Sequence, residues 1–265
     1  MNRIDKTFEN LRKKRKKAFI AFLTAGFPDL STTEKLIHTI EEAGADLIEI
    51  GIPFSDPLAD GPTIQYSSQK ALEHHVNIDQ ILDLVVRVRE KSQIPLALMT
   101  YYNPVFHYGE KKFIEKAKAA GVDGLIVPDL PVEEARDFLK VAKENQLSAI
   151  CFVAPTTTKD RVKRIVQAST GFIYYVSLTG VTGSAQSLPS TITAQIKTIK
   201  SMTDKPVCVG FGISTKEQVR HVSRVSDGVI VGSAIVKEIE KSVNEAEILK
   251  RVSRLVSDLK NGLYG

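Results

Sequence analysis

Residues 47–65 read LIEIGIPFSDPLADGPTIQ. The run Leu47 to Ile50 is short, apolar and rich in isoleucine, the composition of a buried strand. Gly51 to Gly61 (GIPFSDPLADG) then supplies a long loop of turn formers. One strand feeding a loop and then a helical pattern is a βα unit, and seven more apolar runs extend the theme along the chain. They are Phe19 to Leu23, Leu96 to Met99, Gly124 to Val127, Ser148 to Val153, Phe172 to Val176, Val207 to Gly210 and Gly228 to Val231.

Helical patterns separate these runs. EKLIHTIEEAG, preceded by Ser31, Thr32 and Thr33, has Leu36, Ile37 and Ile40 on one face and stops at Gly44. EKKFIEKAKAAG ends likewise at Gly121, and STKEQVRHVSRV follows Ser214. A further amphipathic helix is expected before the first strand, from about Ile4 to Lys14. Alternating strands and helices imply a parallel sheet. With eight units and no Gly-x-Gly-x-x-Gly opening the first, a closed barrel is favoured over an open doubly wound sheet. The fold class expected is α/β, a single (β/α)8 TIM barrel with an extra N-terminal helix, and residues 1–265 form one domain without a low-complexity linker.

Composition restricts the function classes. The chain is 43% hydrophobic and 25% charged, as in ordinary globular proteins. Its two cysteines, Cys151 and Cys208, lie in apolar runs and imply no disulfide framework. No signal-peptide pattern opens the chain, and no apolar stretch approaches the roughly 20 residues that span a bilayer. A cytoplasmic setting with no membrane partner is expected. The net charge of +5 owes much to Arg12 to Lys17 (RKKRKK). Without an aromatic or zinc-type nucleic-acid motif beside it, that run reads as the solvated end of the first helix, and no nucleic-acid partner is expected.

Active sites of such barrels form at the C-terminal ends of the strands. Three βα loops are long enough to be functional: Gly51 to Gly61, Thr100 to Gly109 and Ser177 to Pro189. Glu49 interrupts its strand on the face of Leu47. Either it pairs with a neighbouring charge or faces a helix N-terminus, or desolvation raises its pKa into the range of a general acid/base, the reading favoured here. Asp56 and Asp60, beside Pro and Gly, serve equally well as turn formers or as a second carboxylate.

Late in the chain, Gly180-Val181-Thr182-Gly183, Gly210-Phe211-Gly212 and Gly232-Ser233 each follow a strand, which matches the phosphate site of barrels. No lysine ends a strand, which disfavours a Schiff-base aldolase. His38, His74, His75, His107 and His221 lack metal-ligand spacing, His74-His75 being expected on a helix surface, so no metal is expected. Carboxylate acid/base chemistry on a phosphorylated substrate remains.

LIEIGIPFSDPLADGPTIQ, LMTYYNPVFHYG, VPDLPVEEA, YYVSLTGVTG, VGFGIS and GSAIVK, in order from Ala18 to Lys237, resemble the tryptophan synthase alpha subunit family. The resemblance implies a lyase that cleaves indole-3-glycerol phosphate into indole and glyceraldehyde 3-phosphate in tryptophan biosynthesis. It implies catalysis by Glu49 and Asp60, with Phe22, Ile64, Met99, Tyr101, Pro128, Tyr174 and Tyr175 around the substrate body. Thr182 matches a loop residue that helps position Asp60, while Gly183, Gly212, Gly232 and Ser233 match the phosphate site. Leu178, Ser184, Gln186, Met99 and Pro128 depart from the commonest family residues.

The resemblance further implies a beta subunit in an alpha-beta-beta-alpha assembly, contacted through Pro53 to Asp56, Asn103 to Tyr108 and Pro128 to Pro131. Pyridoxal phosphate belongs to that partner, and this chain is expected to hold no cofactor. A standalone lyase, a catalytically silent activator and an unrelated sugar-phosphate barrel are the alternatives. Intact Glu49, Asp60 and phosphate-loop glycines speak against the silent form.

Overall fold

In the computed structural model, which describes residues 1–176, 190–210 and 212–264, each apolar run is a strand. The strands are β1 (Ala18–Thr24), β2 (Leu47–Gly51), β3 (Leu96–Met99), β4 (Gly124–Ile126), β5 (Ser148–Val153), β6 (Ile173–Val176), β7 (Val207–Gly210) and β8 (Gly228–Val231). They pair in parallel in sequence order, and β8 returns to β1, so the sheet closes into a barrel. Closure removes both exposed edges.

Alternation along each strand divides the apolar residues into two cores. Phe19, Ala21, Leu23, Ile48 and Ile50 face outward, under helices such as α2 (Leu30–Glu42) with its Leu36, Ile37 and Ile40. Ile20, Leu47, Ala97, Ile126, Ile150 and Phe172 fill the barrel interior. The N-terminal helix α1 (Arg3–Lys13) adds Ile4, Phe8 and Leu11 to that inner core. Each side chain so buried contributes about 2 kcal/mol. Asn2, whose side chain caps α1, also donates from Nδ2 to Ser148 Oγ at 2.7 Å and to the Asp123 carbonyl at 3.0 Å. α1 therefore closes the N-terminal mouth of the barrel.

Around that mouth a single device recurs. Asp46, Asp123 and Asp227, just before β2, β4 and β8, accept the backbone N–H of Phe19, Leu96 and Val207 at 2.7, 3.0 and 3.0 Å. Each aspartate carries a cationic partner. Asp123 sits between Arg89 at 2.8 Å and Arg3 at 2.9 Å, Asp227 meets Lys200 at 2.7 Å, and Asp46 meets Lys260. The basic run is partly used here too: Lys17 donates to the Ser226 carbonyl at 2.7 Å, and Lys16 lies 5.1 Å from the Tyr264 ring centroid.

Three local expectations need correction. α2 begins at Leu30, with Asp29 accepting from Thr32 N at 2.7 Å, so Ser31, Thr32 and Thr33 lie inside the helix rather than before it. Asp29 outcompetes them as a cap because its carboxylate also favours the positive end of the helix dipole. The stretch Thr100 to Gly109 contains a helix, α5 (Tyr102–Tyr108), followed by α6 (Glu110–Ala120). His74 and His75 terminate α3 (Pro62–Glu73), His75 with φ of 54°, instead of lying along its surface. Among the described residues, no helix is long and apolar enough to cross a membrane.

Candidate active site

The C-terminal ends of the strands surround a cavity of about 200 Å³. Phe22 from β1, Met99 from β3, Tyr174 and Val176 from β6, and Ile230 from β8 form an apolar wall. Asp60, Gly61 and Ile64 close one side from the β2 loop and α3. Gly210, Gly212, Gly232 and Ser233 form another from the ends of β7 and β8. Two glycines make room for the aromatic wall. A Cβ at Gly51 would lie 2.6 Å from the Phe22 ring, and one at Gly210 would lie 2.7 Å from Tyr174.

Glu49 lies on the inner face of β2, in register with Phe22 on one side and Ala97 on the other. It is completely buried, and among the described residues neither carboxyl oxygen has a hydrogen-bond partner. Desolvation alone pushes its pKa up to about 8, so it holds a proton at neutral pH. A neutral carboxylic acid is the form that tolerates such a site, since an isolated buried carboxylate would cost far more.

Asp60 differs in each respect. Burial raises its pKa to about 6, and the Tyr101 hydroxyl, donating to Oδ2 at 3.0 Å, opposes the rise. Tyr101 Oη in turn accepts from Ala59 N at 2.9 Å, and Gln65 Nε2 donates to the Asp60 carbonyl at 2.9 Å. The carboxylate is thus held at the cavity edge and is ionised at neutral pH. Tyr174 lies near both acids: burial raises its pKa most, and the charges of Glu49 and Asp60 add to the rise.

The glycine-rich end offers donors to an anion. Gly232 precedes α11 (Ser233–Glu240), whose first intrahelical bonds run from Ile235 N and Val236 N to the Gly232 carbonyl. Ser233 N and Ala234 N precede that ladder, at the positive end of the helix dipole. Gly212, with φ of 58°, adopts the left-handed conformation that glycine tolerates best.

Of the residues assigned from sequence, Phe22, Asp60, Ile64, Met99, Tyr174, Gly212, Gly232 and Ser233 line this cavity. Glu49 lies beside its wall, and Tyr101 reaches it through Asp60. Tyr175 faces the opposite way, into the outer core, where its hydroxyl donates to Gln195 Oε1 at 2.5 Å. Pro128 lines a separate, smaller cavity of about 90 Å³ with Leu130, Phe138 and Cys151. Thr182 and Gly183 lie outside the described residues, as does the loop Ser177 to Pro189. Val176, Ile230 and Ala59 were not singled out from sequence. Strand alternation would have found two of them, because Val176 lies two residues beyond Tyr174, and Ile230 lies two before Gly232. Among the described residues, no group of three or more His, Cys, Asp or Glu side chains could hold a metal ion.

Comparison with known proteins places the chain in a family. Residues 8–263 match the family described as tryptophan synthase alpha chain. The tryptophan synthase alpha chain of Caldanaerobacter subterraneus is 51% identical over 99% of this chain and all of its own length. That of a Thermoanaerobacter species is 49% identical over the same shares. Among solved structures, the alpha subunit from Legionella pneumophila superposes with a TM-score of 0.92 at 39% identity, covering all of this chain and 99% of its own. A chain of the aminoacrylate-bound tryptophan synthase from M. tuberculosis gives 0.89 at 33% identity, covering 99% of this chain and all of its own. The chain belongs to the tryptophan synthase alpha chain family.

Proposed function

We propose that Glu49 and Asp60 carry out the reaction of this family, the retro-aldol cleavage of indole-3-glycerol phosphate into indole and glyceraldehyde 3-phosphate. The observation that carries the assignment is the contrast between the two acids. One is buried, without a hydrogen-bond partner among the described residues and with its pKa pushed up to about 8, and the other, raised only to about 6, is held at the cavity edge by the Tyr101 hydroxyl.

Protonated Glu49 delivers its proton to indole C3, which places positive charge on the ring nitrogen. Ionised Asp60 accepts the ring N–H and stabilises that charge in a site shielded from water. The Glu49 carboxylate then takes the proton of the adjacent carbinol hydroxyl. A carbonyl forms there, the bond to C3 breaks, and its electron pair restores the indole. Glu49 finishes protonated, ready for another turnover. Phe22, Ile64, Met99 and Tyr174 enclose the ring, and Gly212, Gly232 and Ser233 receive the phosphate at the α11 N-terminus. Thr182 and Gly183 complete this assignment on the strength of their motif.

Indole released in the cavity would pass to a beta subunit, with pyridoxal phosphate bound there, in an alpha-beta-beta-alpha assembly. Exposed Leu58 and Phe106 on the rim loops, 91% and 70% accessible, support such a docking face. The unpaired thiols Cys151 and Cys208 fit a reducing cytoplasm.

The test is to mix the chain with indole-3-glycerol phosphate, with and without a beta subunit, and follow both products beside a Glu49→Ala control. Release that Glu49→Ala abolishes supports the assignment, and acceleration by the partner supports the assembly. No release with the partner present would refute the assignment.

A further inference from the structure

Asp60 precedes α3, and the N-terminus of that helix is weakly fixed by its own sequence. Its cap is Gly61, which has no side chain to bond the first turn, and Pro62 follows. Something else must set where the helix starts relative to the barrel, because the same first turn carries the cavity residue Ile64.

A buried pair of hydroxyls ties α3 to the end of β1. Thr24 ends β1 on the same inner face as Phe22, and it is 2% exposed. Its Oγ1 lies 2.6 Å from Oγ of Ser67, a residue of α3 with no exposed surface. The Ser67 hydroxyl donates to the Ile64 carbonyl at 2.9 Å. Its single proton being committed there, Thr24 is the donor to Ser67. The chain of bonds therefore runs from the end of β1 to Ser67, and from Ser67 to the first turn of α3.

We propose that Thr24 and Ser67 are positioning residues, forming a strut that sets Asp60 and Ile64 against the Phe22 wall of the cavity. Tyr101 and Gln65 orient Asp60 within its loop, whereas the strut places the helix from which that loop hangs. This rests on the reading of the cavity as the cleavage site. An electrostatic group that acts only on the transition state loses its effect steeply when displaced, while binding of the substrate body changes less. The strut should therefore appear in kcat more than in KM.

The experiment uses the full chain with its beta partner and the variants Thr24→Val, Ser67→Ala and Thr24→Ser. Valine keeps the shape of threonine and removes the hydroxyl. Thr24→Val and Ser67→Ala should each lower kcat about tenfold, with KM within about twofold, and Thr24→Ser should recover most of the loss. Amide exchange provides a second readout that needs no turnover. Ile64 N and Gln65 N both donate to the Gly61 carbonyl at 3.0 Å, and both should exchange at least about tenfold faster in Thr24→Val while the β1–β2 ladder is unchanged. Unchanged exchange at Ile64 and Gln65 would overturn the proposal, as would faster exchange with an unaltered kcat. Should Thr24→Val fail to fold, Ser67→Ala breaks the same chain of bonds from the other end. If the wild-type chain releases no indole, the reading of the site fails, and the exchange arm still decides the strut.

Discussion

The two mouths of the barrel use carboxylates in opposite ways. At the N-terminal mouth, Asp123 is 3% exposed and accepts from Arg3, Arg89 and the Leu96 backbone. Two strands away around the barrel, Glu49 is as deeply buried, and neither of its oxygens has a partner among the described residues. Burial therefore does not distinguish structure from chemistry here. A fully paired acid locks neighbouring elements together, while an unpaired one remains protonated and free to react. One end of the molecule stabilises the fold and the other holds the proposed reaction site, as expected when catalytic residues sit at the C-terminal ends of barrel strands.

The largest effect expected is at Glu49. Glu49→Gln should lower indole release by about 10³-fold or more, because the proposed mechanism routes both proton transfers through this carboxyl. The same change should act oppositely on stability. The folded pKa is about 8 against 4.5 for an unperturbed glutamate, so the folded chain binds the extra proton between those values. Wild-type stability then falls as pH rises from about 4.5 to 8, and Glu49→Gln escapes that loss. Urea unfolding at pH 5 and pH 8.5 should show the variant gaining a few kcal/mol on wild type at the higher pH. Equal gains at both pH values would contradict the unpaired state of the carboxyl.

Asp123→Ala probes the other mouth. Arg89, at 10% exposure, would lose its carboxylate partner, and removal of one member of a buried pair costs about 3–5 kcal/mol. Denaturant melts should register that loss, while kcat per folded molecule stays at the wild-type value. A drop in kcat with stability intact would erase the division between the two mouths.

A smaller effect sharpens the roles of the two proposed catalytic acids. If Asp60 acts ionised and Glu49 protonated, kcat/KM should peak near pH 7 and fall to about half its maximum near pH 6 and pH 8. The acid limb belongs to Asp60 and the alkaline limb to Glu49. Asp60→Asn should abolish the acid limb and leave a rate about 10²-fold lower.

The smallest effect is at Tyr101. Its hydroxyl holds the Asp60 pKa down, so Tyr101→Phe should move the acid limb upward in pH and cost only a few-fold at pH 7. A shift downward would show that Tyr101 acts chiefly by excluding water.

Much of this was legible in the chain. Apolar runs with β-branched residues marked all eight strands to within two residues, since burial on both faces leaves little choice of composition. Glycine stops at Gly44 and Gly121 appear in the structure with φ of 103° and 99°. Local capping was harder to read. Asp29, Ser31, Thr32 and Thr33 are all competent caps, and Asp29, with a carboxylate at the positive end of the helix dipole, takes the position. The adjacent tyrosines 174 and 175 illustrate a different limit. Both belong to a strand followed by a functional loop, but the two-residue period allows only one inside, and strand register selects Tyr174.

What the sequence by itself determined was the order of strands and helices and a glutamate interrupting an otherwise apolar strand. These follow from local periodicity and from the few residue types that end helices or turn loops. Tertiary structure alone decided that Phe22, Asp60, Tyr174 and Ile230, more than 200 residues apart at the extremes, share one cavity. It also decided that Glu49 titrates near 8 and Asp60 near 6. Both outcomes depend on closure of the barrel, because desolvation is the sum of what every neighbouring strand excludes, and no segment of the chain carries that sum alone.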